Sequence, residues 1–180
     1  MNTKYVETYI NNIPSDLPNI INWEEREDAP RKEIFMANEE LSYTYGMGRG
    51  IRTYDSVPMI PFVKDVMDKI NSDYNYNLDI CFLNYYKNEK MWLGWHSDDS
   101  PEIDQTEPIA VVSIGAERDI WVKTKDYKGV IPDEWRFNLK SGSLFMMLAG
   151  FQDNHLHKIP KWDKKCDWRI SLTFRKFKKI

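Results

Sequence analysis

The C-terminal segment WRISLTFR, residues 168–175, alternates strictly between apolar and polar side chains. One face of such a segment is apolar (Trp168, Ile170, Leu172, Phe174) and the other is polar (Arg169, Ser171, Thr173, Arg175). A period of two is typical of a β-strand with one buried face, because successive side chains of a strand point to opposite sides. The segment therefore predicts a β-rich fold in which this strand separates an apolar layer from a polar space.

Two interpretations of the polar face are open. The strand is either an edge strand with a wet basic face, or part of a barrel whose polar interior holds a ligand with a carboxylate. Arginine suits the second role because its planar guanidinium pairs with a carboxylate through two hydrogen bonds. Six residues of strand span about 20 Å. Arg169 and Arg175 can therefore share one small ligand only if their side chains lean together or a β-bulge shortens the gap.

The rest of the chain changes character near residue 77. Residues 1–57 are polar and interrupted by proline and glycine, which favours short helices, loops and a hairpin. Residues 61–70 place apolar side chains at helical spacing behind a proline, which predicts a helix. The predicted strands are residues 78–86, 109–114, 118–123, 134–139, 143–148, 155–159 and 168–177. We expect one α+β domain over residues 1–180, a sandwich, barrel or jelly roll with helices on one face.

Composition excludes several classes of protein. Two cysteines in 180 residues exclude a disulfide scaffold and a zinc cluster built from thiolates. No apolar run approaches the ~20 residues of a membrane span, and the polar N-terminus lacks the apolar core of a signal peptide. We therefore expect a monomer in a reducing compartment, cytoplasmic or, in a eukaryote, nuclear, with no membrane partner. The net charge of −3 gives no overall basic field for nucleic acid.

His96 and Asp98 form a short motif with the chemistry of a metal site. Residues two apart in an extended segment point the same way, so both side chains can reach one point. A third ligand from a distant strand would complete a face of two histidines and one carboxylate, which leaves open positions and suits non-haem Fe(II). The remaining histidines, His155 and His157, are the candidates. Alone the motif is weak, because a surface histidine beside acidic residues is common.

The same residues belong to an ordered series of motifs. Asn84 and Tyr86 lie two apart on one face of a predicted strand and offer an amide and a hydroxyl. The series runs Asn84-x-Tyr86, His96-x-Asp98, Pro108-Ile109-Ala110-Val111-Val112-Ser113-Ile114-Gly115-x-x-Arg118, Gly142-Ser143-Leu144-x-x-Met147, His157-x-x-Pro160 and Arg169-x-x-x-x-x-Arg175. Over residues 30–177 it resembles the AlkB family of Fe(II)/2-oxoglutarate-dependent dioxygenases. It is especially similar to the nucleic-acid demethylases of the second and third human homologue type.

The resemblance implies a fold and a metal site. The implied fold is α+β, with a double-stranded β-helix (jelly-roll) core over residues 78–180. Residues 1–77 would supply N-terminal helices packed on one face and a substrate lid. Fe(II) would be bound by His96, Asp98 and His157. His155 shares a strand face with His157, but His157 precedes the family's x-x-Pro, so His155 is expected to be structural.

The resemblance also implies a site for 2-oxoglutarate. Arg169 would pair with the distal carboxylate of this cosubstrate, and Tyr86 would donate to the same end. Arg175 and Asn84 would hold the end that chelates the metal. Arg118 matches a family arginine to which we assign no role.

The implied reaction is oxidative demethylation of alkylated bases in nucleic acid. The N-methyl group of 1-methyladenine or 3-methylcytosine, in single- or double-stranded DNA or RNA, would leave as formaldehyde, with succinate and CO₂ as the other products. Tyr45 holds the implied position for stacking on a flipped base, and Tyr43 is the second candidate; two tyrosines in an ordinary hairpin are the alternative. Near relatives usually read the base with an acidic residue two positions after the ligand aspartate. This chain has Ser100 there, preceded by Asp99.

Other functions remain open. The acidic net charge and Ser100 favour a related dioxygenase that hydroxylates a protein side chain or a small molecule. A non-catalytic β-domain with a vestigial metal site is a further alternative, against which the intact set of ligands argues. Three lysine clusters near the implied site are either solvated surface or phosphate contacts: Lys123, Lys125 and Lys128; Lys158, Lys161, Lys164 and Lys165; Lys176, Lys178 and Lys179.

Overall fold

The structure is a computed structural model that describes residues 2–27, 29–46, 51–125 and 133–178. The helices in these residues are α1 Leu17–Ile20, α2 Pro61–Tyr74 and α3 Phe151–Asn154. The strands are β1 Thr3–Val6, β2 Lys32–Ala37, β3 Ser42–Tyr45, β4 Arg52–Asp55, β5 Val57–Pro58, β6 Ile80–Tyr86, β7 Leu93–His96, β8 Ile109–Gly115, β9 Arg118–Thr124, β10 Glu134–Leu139, β11 Ser143–Met147, β12 His155–Ile159 and β13 Arg169–Arg175. None of the described helices is long and apolar enough to cross a membrane.

Two sheets face each other across a shared core. The larger sheet has the strand order β1-β11-β8-β13-β6-β2-β5, in which β2 and β5 are parallel and the other pairs are antiparallel. The smaller sheet has the order β10-β9-β12-β7. Strands β6 to β13 pass back and forth between the two sheets, and β9 and β10 pair within the smaller one. This winding is the predicted double-stranded β-helix.

Apolar side chains form one layer on each side of the larger sheet. Between the sheets, Phe82 and Phe145 of the larger sheet pack with Ile120 and Ile159 of the smaller one. On the outer side, helix α2 covers the larger sheet with its buried stripe, Val63, Val66, Met67 and Ile70. The periodicity that predicted this helix is confirmed. The helix continues to Tyr74 and ends where Asn75 takes the left-handed conformation, with φ of 56°.

Strand β13 lies in the centre of the larger sheet, paired with β6 on one side and β8 on the other. Its apolar residues, Ile170, Leu172 and Phe174, belong to the layer under α2. Its polar residues face the space between the sheets, and all seven residues of the strand are buried. The interpretation as an edge strand is therefore wrong, and the polar face is a barrel interior. Charged groups are rarely buried without a reason, because desolvation disfavours them.

The region before residue 78 contributes more strands than its sequence indicates. Strands β1, β2 and β5 extend the larger sheet, and β3 pairs with β4 in a hairpin, as predicted. The sequence of β2, KEIFMA, is a short apolar run without alternation, so pairing with β6 rather than periodicity determines its conformation. Strand β7 also escapes prediction, because its half-buried side chains and its glycine give no pattern.

Candidate active site

Three side chains converge between the two sheets; two come from strands of the smaller sheet and one from the loop that follows β7. His96 is the last residue of β7, and His157 lies directly across from it on β12. Paired residues of antiparallel strands point to the same face, so both imidazoles enter the same space. Asp98 follows β7 by two residues and is 1% exposed. One potential ligand atom from each of the three residues lies within 4.8 Å of the other two.

The distances describe groups around a common point rather than hydrogen-bonded pairs. Nε2 of His96 lies 3.7 Å from Oδ1 of Asp98, and Nε2 of His157 lies 3.7 Å from Oδ2. Both distances exceed a normal hydrogen bond. Oδ1 of Asp98 is buried and has no hydrogen-bond partner among the described residues, which is costly for a carboxylate oxygen. A cation between the three groups would remove this cost.

Hydrogen bonds outside the triad hold it in place. Nδ1 of His96 lies 2.8 Å from the carbonyl oxygen of Gly94, and a carbonyl only accepts, so Nδ1 carries the proton and Nε2 offers its lone pair. The backbone N–H of Asp98 donates to Oε1 of Gln152 at 2.9 Å. The side chain of Gln105 donates to the carbonyl of Asp98 at 2.9 Å. The loop that carries the carboxylate is thus fixed at both of its backbone polar groups.

The protonation states of the triad suit a divalent cation. Burial, reinforced by the neighbouring His96, lowers the pKa of His157 to about 3. Burial also lowers the pKa of His96. For Asp98, burial alone would raise the pKa, but Arg175 and the two histidines outweigh it and hold the pKa below its usual range. Near neutral pH the site offers two neutral imidazoles and one carboxylate, the forms in which these groups bind metals.

This donor set fits Fe(II). Two imidazoles and one carboxylate on one side of a metal ion leave the other coordination positions open, as non-haem iron oxygenases require. His155, the alternative ligand, is engaged elsewhere. Its ring stacks on Phe151 with the centroids 4.6 Å apart, and its Nδ1 lies 3.2 Å from the Phe151 carbonyl.

Behind the triad, the cavity ends at a buried arginine. Arg169 is fully buried, and its Nε donates to Oγ of Ser113 at 2.8 Å. Its two terminal nitrogens have no partner of normal hydrogen-bond geometry among the described residues, and the same is true of the Tyr86 hydroxyl. The guanidinium lies 5.3 Å from the centre of the Tyr86 ring. Burial lowers the pKa of Arg169 to about 10, so the group stays cationic at neutral pH. These donors suit an anionic ligand.

Arg175 lies at the other end of the same strand face. Its Nη2 is 2.9 Å from Oδ2 of Asp98. Arg169 and Arg175 line one cavity together with Ser171 and Thr173, which lie between them on β13. The pairing of β13 with β6 is continuous, so no bulge shortens the distance. Each arginine therefore serves a different end of the cavity, with Arg175 at the triad and Arg169 at the far end.

Sequence reasoning missed a buried network at the start of β2. Nε of Arg31 donates to Oδ1 of Asn84 at 2.6 Å, which leaves the NH₂ group of this amide as the donor on its other side. The Arg31 guanidinium also contacts the carboxylate of Glu33, and the hydroxyl of Tyr54 donates to the second oxygen of that carboxylate. Glu33 is only 2% exposed. The signal in the sequence is the spacing of Arg31 and Glu33, two apart on one strand face.

Arg118, to which the sequence assigns no role, is a structural residue. It is fully buried and donates to the backbone carbonyls of Asn88 at 3.2 Å and Met91 at 2.9 Å, and to that of Pro160. These carbonyls lie in the loop before β7 and just after β12. The guanidinium therefore ties together the two strands that carry His96 and His157.

A cleft of about 640 Å³ opens beside the triad. It meets the inner cavity at Arg31, Leu93 and His96, which line both. Its volume is typical of sites for small organic molecules. The other walls combine basic, acidic and aromatic side chains, namely Arg26, Lys125, Glu33, Asp99, Tyr54 and Trp95.

The predicted substrate residues occupy different positions around this cleft. Asp99 and Ser100 line it, and the Asp99 carboxylate lies 3.3 Å from Nζ of Lys125. Tyr43 is fully buried, and its hydroxyl lies 3.5 Å from Oγ of Ser100. The ring of Tyr43 therefore belongs to the core, and its hydroxyl points toward the cleft wall. The side chain of Tyr45 lies outside the described part of the structure.

The sequence matches a family model over most of its length. The model of the 2OG-Fe(II) oxygenase superfamily covers residues 21–175, a range that includes the triad and both cavity arginines. The chain belongs to this superfamily. The two predicted cofactors, Fe(II) and 2-oxoglutarate, are those of 2OG-Fe(II) oxygenases, and the triad provides the metal ligands.

Similar proteins include named members of the AlkB group. Over 152 residues the chain is 33% identical to "DNA oxidative demethylase ALKBH2" of Bos taurus. The aligned region covers 82% of the chain and 53% of that protein. Over 167 residues it is 28% identical to "Alpha-ketoglutarate-dependent dioxygenase alkB homolog 3" of Homo sapiens, covering 83% of the chain and 58% of that protein. The chain thus spans about half the length of these curated relatives. The resemblance to the AlkB family is confirmed.

One solved structure supports the fold of this oxygenase. "The structure of OsALKBH1" superimposes with a TM-score of 0.57 and 17% sequence identity, covering 86% of the chain and 83% of that structure. At this identity the similarity concerns the fold alone. The jelly-roll core predicted from the sequence is therefore confirmed by an AlkB-type neighbour.

The two histidines of β12 allow a matched test of the metal site. Replacing His157 with alanine should weaken Fe(II) binding by at least about a hundredfold, because two ligands remain where three are needed. His155→Ala, which removes the other imidazole of the strand, should leave binding unchanged. Anaerobic titration calorimetry of the metal-free proteins gives the affinities. If His155→Ala loses the metal and His157→Ala keeps it, the ligand set is wrong.

Proposed function

We propose that the chain is an oxidative demethylase of alkylated nucleic acid. It would remove the methyl groups of 1-methyladenine and 3-methylcytosine from DNA, RNA or both, using Fe(II), 2-oxoglutarate and O₂. The observation that carries the proposal is that the inner cavity and the outer cleft meet at the metal triad. The inner cavity ends at a buried cation that suits a dicarboxylate, and the outer cleft is large enough for a nucleobase.

The assignment of the cosubstrate follows from the donors in the inner cavity. The terminal nitrogens of Arg169 and the hydroxyl of Tyr86 would bind the distal carboxylate, since their geometry is that of a fork with a third donor. The Asn84 amide, oriented by Arg31, and Arg175 would bind the end near the metal. Every donor in this set is buried, so water competes little for the carboxylates.

Iron, 2-oxoglutarate and O₂ together supply the hydroxylation of a C–H bond, with release of succinate and CO₂. The chain's own residues position the reactants. Arg175 keeps Asp98 ionised, and Gly94 fixes the ring of His96 with Nε2 toward the metal. The substrate base would enter from the cleft side, where His96 and Arg31 form the boundary. The hydroxymethyl group left on the ring nitrogen then releases its hydroxyl proton to water and departs as formaldehyde, and the electron pair of the broken C–N bond stays on the nitrogen.

A nucleic-acid substrate is supported by relatives and by the cleft. The Bos taurus relative is named a DNA oxidative demethylase. The cleft is lined by the aromatic Trp95 and by the cations Arg26 and Lys125, groups that suit a base and its phosphates. A base within a duplex would have to flip into the cleft, which costs a few kcal/mol and is easiest for unpaired or damaged bases. Tyr45 remains the proposed stacking residue of the lid, whereas Tyr43, whose ring is buried in the core, would contribute only its hydroxyl.

We also propose that Glu33 takes the part of the acidic residue that Ser100 replaces. Its carboxylate lies in the cleft wall, held by Arg31 and Tyr54. Each carboxylate oxygen can accept a second hydrogen bond, which the exocyclic amino group of adenine or cytosine can donate. The methylated bases also carry positive charge, which the carboxylate would attract. Burial, reinforced by Glu33, raises the pKa of the Tyr54 hydroxyl, so Tyr54 stays a neutral donor to Glu33.

We further propose a monomer that acts in a reducing compartment. Its two cysteines, buried Cys81 and half-buried Cys166, are unpaired. Among the described residues, the exposed large hydrophobic side chains are Ile20, Ile51 and Trp92, too few to form a continuous apolar interface. Analytical ultracentrifugation would report the oligomeric state directly.

The proposed reaction is tested with methylated oligonucleotides. The iron-loaded protein should remove the methyl group from 1-methyladenine and 3-methylcytosine, which mass spectrometry detects as the loss of one CH₂ unit per lesion. The panel contains single- and double-stranded DNA and RNA, so that the same experiment ranks the polymers. Formaldehyde and succinate should appear in equal amounts. Asp98→Ala should form neither product, because the carboxylate ligand is gone.

Succinate without loss of methyl from any oligonucleotide would reject the substrate class. In that case a protein side chain or a small molecule becomes the favoured substrate. The salt dependence of oligonucleotide binding also separates these substrates. Binding to a nucleic acid should weaken as ionic strength rises, because contacts with phosphates release counterions.

The role of Arg169 is tested by the choice of cosubstrate. The wild-type chain should prefer 2-oxoglutarate to 2-oxobutyrate, which lacks the distal carboxylate, by at least about a hundredfold. In Arg169→Gln this ratio of kcat/KM should fall to within about tenfold, since the cation that pairs with the carboxylate is absent. Succinate and propionate formation give the two rates. A ratio that stays unchanged would exclude Arg169 as the partner of the distal carboxylate, and general damage to the fold would not alter the ratio.

Glu33→Gln tests the reading of the base. Glutamine preserves the shape and still accepts hydrogen bonds, but it removes the charge, so kcat/KM for the methylated base should fall by about tenfold or more. Turnover of 2-oxoglutarate without substrate is measured as well, because Glu33 contacts Arg31, which orients the Asn84 amide. Glu25→Gln, which removes an exposed charge that pairs with Lys32, is the matched control. Equal kcat/KM for both variants would rule out contact between Glu33 and the base.

A further inference from the structure

The outer face of the smaller sheet carries a continuous row of cations and indole rings. Trp121 of β9 lies between Arg136 of β10 and Lys158 of β12, and Lys158 also lies over Trp95 of β7. Lys123 of β9 also lies over the Trp95 ring. We call Trp95, Trp121, Lys123, Arg136 and Lys158 the outer ladder. It crosses all four strands of the sheet, on the face opposite the triad.

The ladder is built by the register of the strands. Arg136 pairs with Trp121, and Lys158 pairs with Trp121 from the opposite neighbour. The guanidinium carbon of Arg136 lies 3.8 Å from the centre of the Trp121 ring, and Nζ of Lys158 lies 4.2 Å from it. Nζ of Lys158 and Nζ of Lys123 lie 4.5 Å and 4.8 Å from the centre of the Trp95 ring. These distances are within the range of cation–π contact.

The ladder is a local excess of positive charge. Its three cations face two carboxylates on the same surface, so the sum of +3 and −2 is +1, whereas the whole chain carries −3. Glu134 pairs with Arg136 at 3.2 Å, and Asp119 accepts from Nε1 of Trp121 at 3.5 Å. Burial lowers the pKa of Lys158; Glu134 opposes the shift, and the positive charges of Lys123 and Arg136 add to it. The charged neighbours of Lys158 are thus one carboxylate and two cations, and a phosphate would add a second anion beside it.

One end of the ladder reaches the catalytic cleft. Trp95 lines the cleft and directly precedes the ligand His96. Leu156, which lies opposite Lys123 in the pairing of β12 with β9, lines the cleft as well. The route from the cleft to Trp121 crosses two strand spacings, about 10 Å. This distance exceeds the length of one nucleotide, so only a segment that flanks the nucleotide in the cleft can reach Trp121.

From this geometry we infer that the outer ladder binds the single-stranded segment that flanks the substrate nucleotide. Phosphates would pair with Lys123, Lys158 and Arg136, and a lysine that moves from an indole ring to a phosphate would leave that ring free to stack with a base. Aromatic rings between cations are the usual means of holding single strands without reading their sequence. The inference rests on the proposed function, because the segment must lead to a base in the cleft. A partner with carboxylates alone would use the cations but not the rings.

Binding of an unmodified oligonucleotide tests the ladder without any chemistry. A labelled oligothymidylate of about 15 nucleotides is titrated in fluorescence anisotropy over a range of salt concentrations. In the double variant Lys123→Gln, Lys158→Gln the slope of log affinity against log salt should decrease by about 1.4, because two phosphate contacts are lost. The matched control is Lys64→Gln, Lys69→Gln on helix α2, where each lysine pairs with an aspartate four residues on. That control should bind like the wild type.

The stacking part is tested at Trp121. Trp121→Ala should weaken binding by about tenfold or more, and Trp121→Phe should recover most of the loss, since stacking needs a ring. Thermal unfolding is measured for both variants. If the alanine variant loses only thermal stability and binds as the wild type does, the ladder is a packing motif and the inference fails. Equal competition by polyglutamate would also overturn it, because the rings would then have no role.

Activity separates this inference from the proposed function. On a methylated mononucleotide, too short to reach Trp121, the ladder variants should match the wild type, whereas on a long methylated strand their KM should rise by about tenfold with kcat unchanged. Equal KM values on the long strand would contradict the ladder and leave the demethylase intact. If the wild type demethylates neither substrate, the proposed function fails, while anisotropy still decides whether the ladder binds a strand.

Discussion

The site depends on a buried carboxylate that stays ionised between the sheets. Desolvation disfavours the charge of Asp98, and the balance is reversed by Arg175 on β13 and by His96 and His157 on the smaller sheet. The carboxylate thus joins the two sheets electrostatically at the point where the metal would bind. If the register between β7 and β12 shifted by one residue, the two imidazoles would no longer share a face. The register of two short strands therefore decides whether the chain can bind iron.

Much of this arrangement can be predicted from the sequence, for reasons that differ between elements. Strand β13 is predicted by the alternation of apolar and polar side chains, because one of its faces is apolar and the other lines a cavity. Helix α2 is equally predictable, since the apolar residues of its buried stripe follow the helical period. Strands β2 and β7 cannot be predicted from periodicity. Strand β2 is a buried apolar run and β7 is a half-buried edge strand, and neither has a period that distinguishes it from a loop. Their conformation comes from pairing with β6 and β12, which is long-range information.

The candidate site shows the same division. The order and spacing of sequence motifs identify the triad and the two cavity arginines, because each of these residues belongs to a motif that suits metal or carboxylate binding. The network of Arg31, Glu33 and Tyr54 joins residues from different parts of the chain that share no motif. It can be recognised only from the contacts that these residues make in the structure. Tyr43 illustrates the converse. A tyrosine in a lid hairpin looks accessible in the sequence, yet its ring is buried in the core and only its hydroxyl approaches the cleft.

Net charge is a poor guide to nucleic-acid binding in a chain of this kind. Fields of exposed charges are screened beyond roughly 8–10 Å at physiological salt, so a phosphate responds to the few side chains nearest to it. The ladder surface sums to +1 and the whole chain to −3, so the rest of the chain carries −4 and the acidic excess lies outside the ladder. The outer ladder concentrates three cations around two indole rings beside the cleft. A mildly acidic oxygenase can therefore present a local surface that suits a nucleic-acid strand, while its remaining surface repels nonspecific contacts with the same polymer.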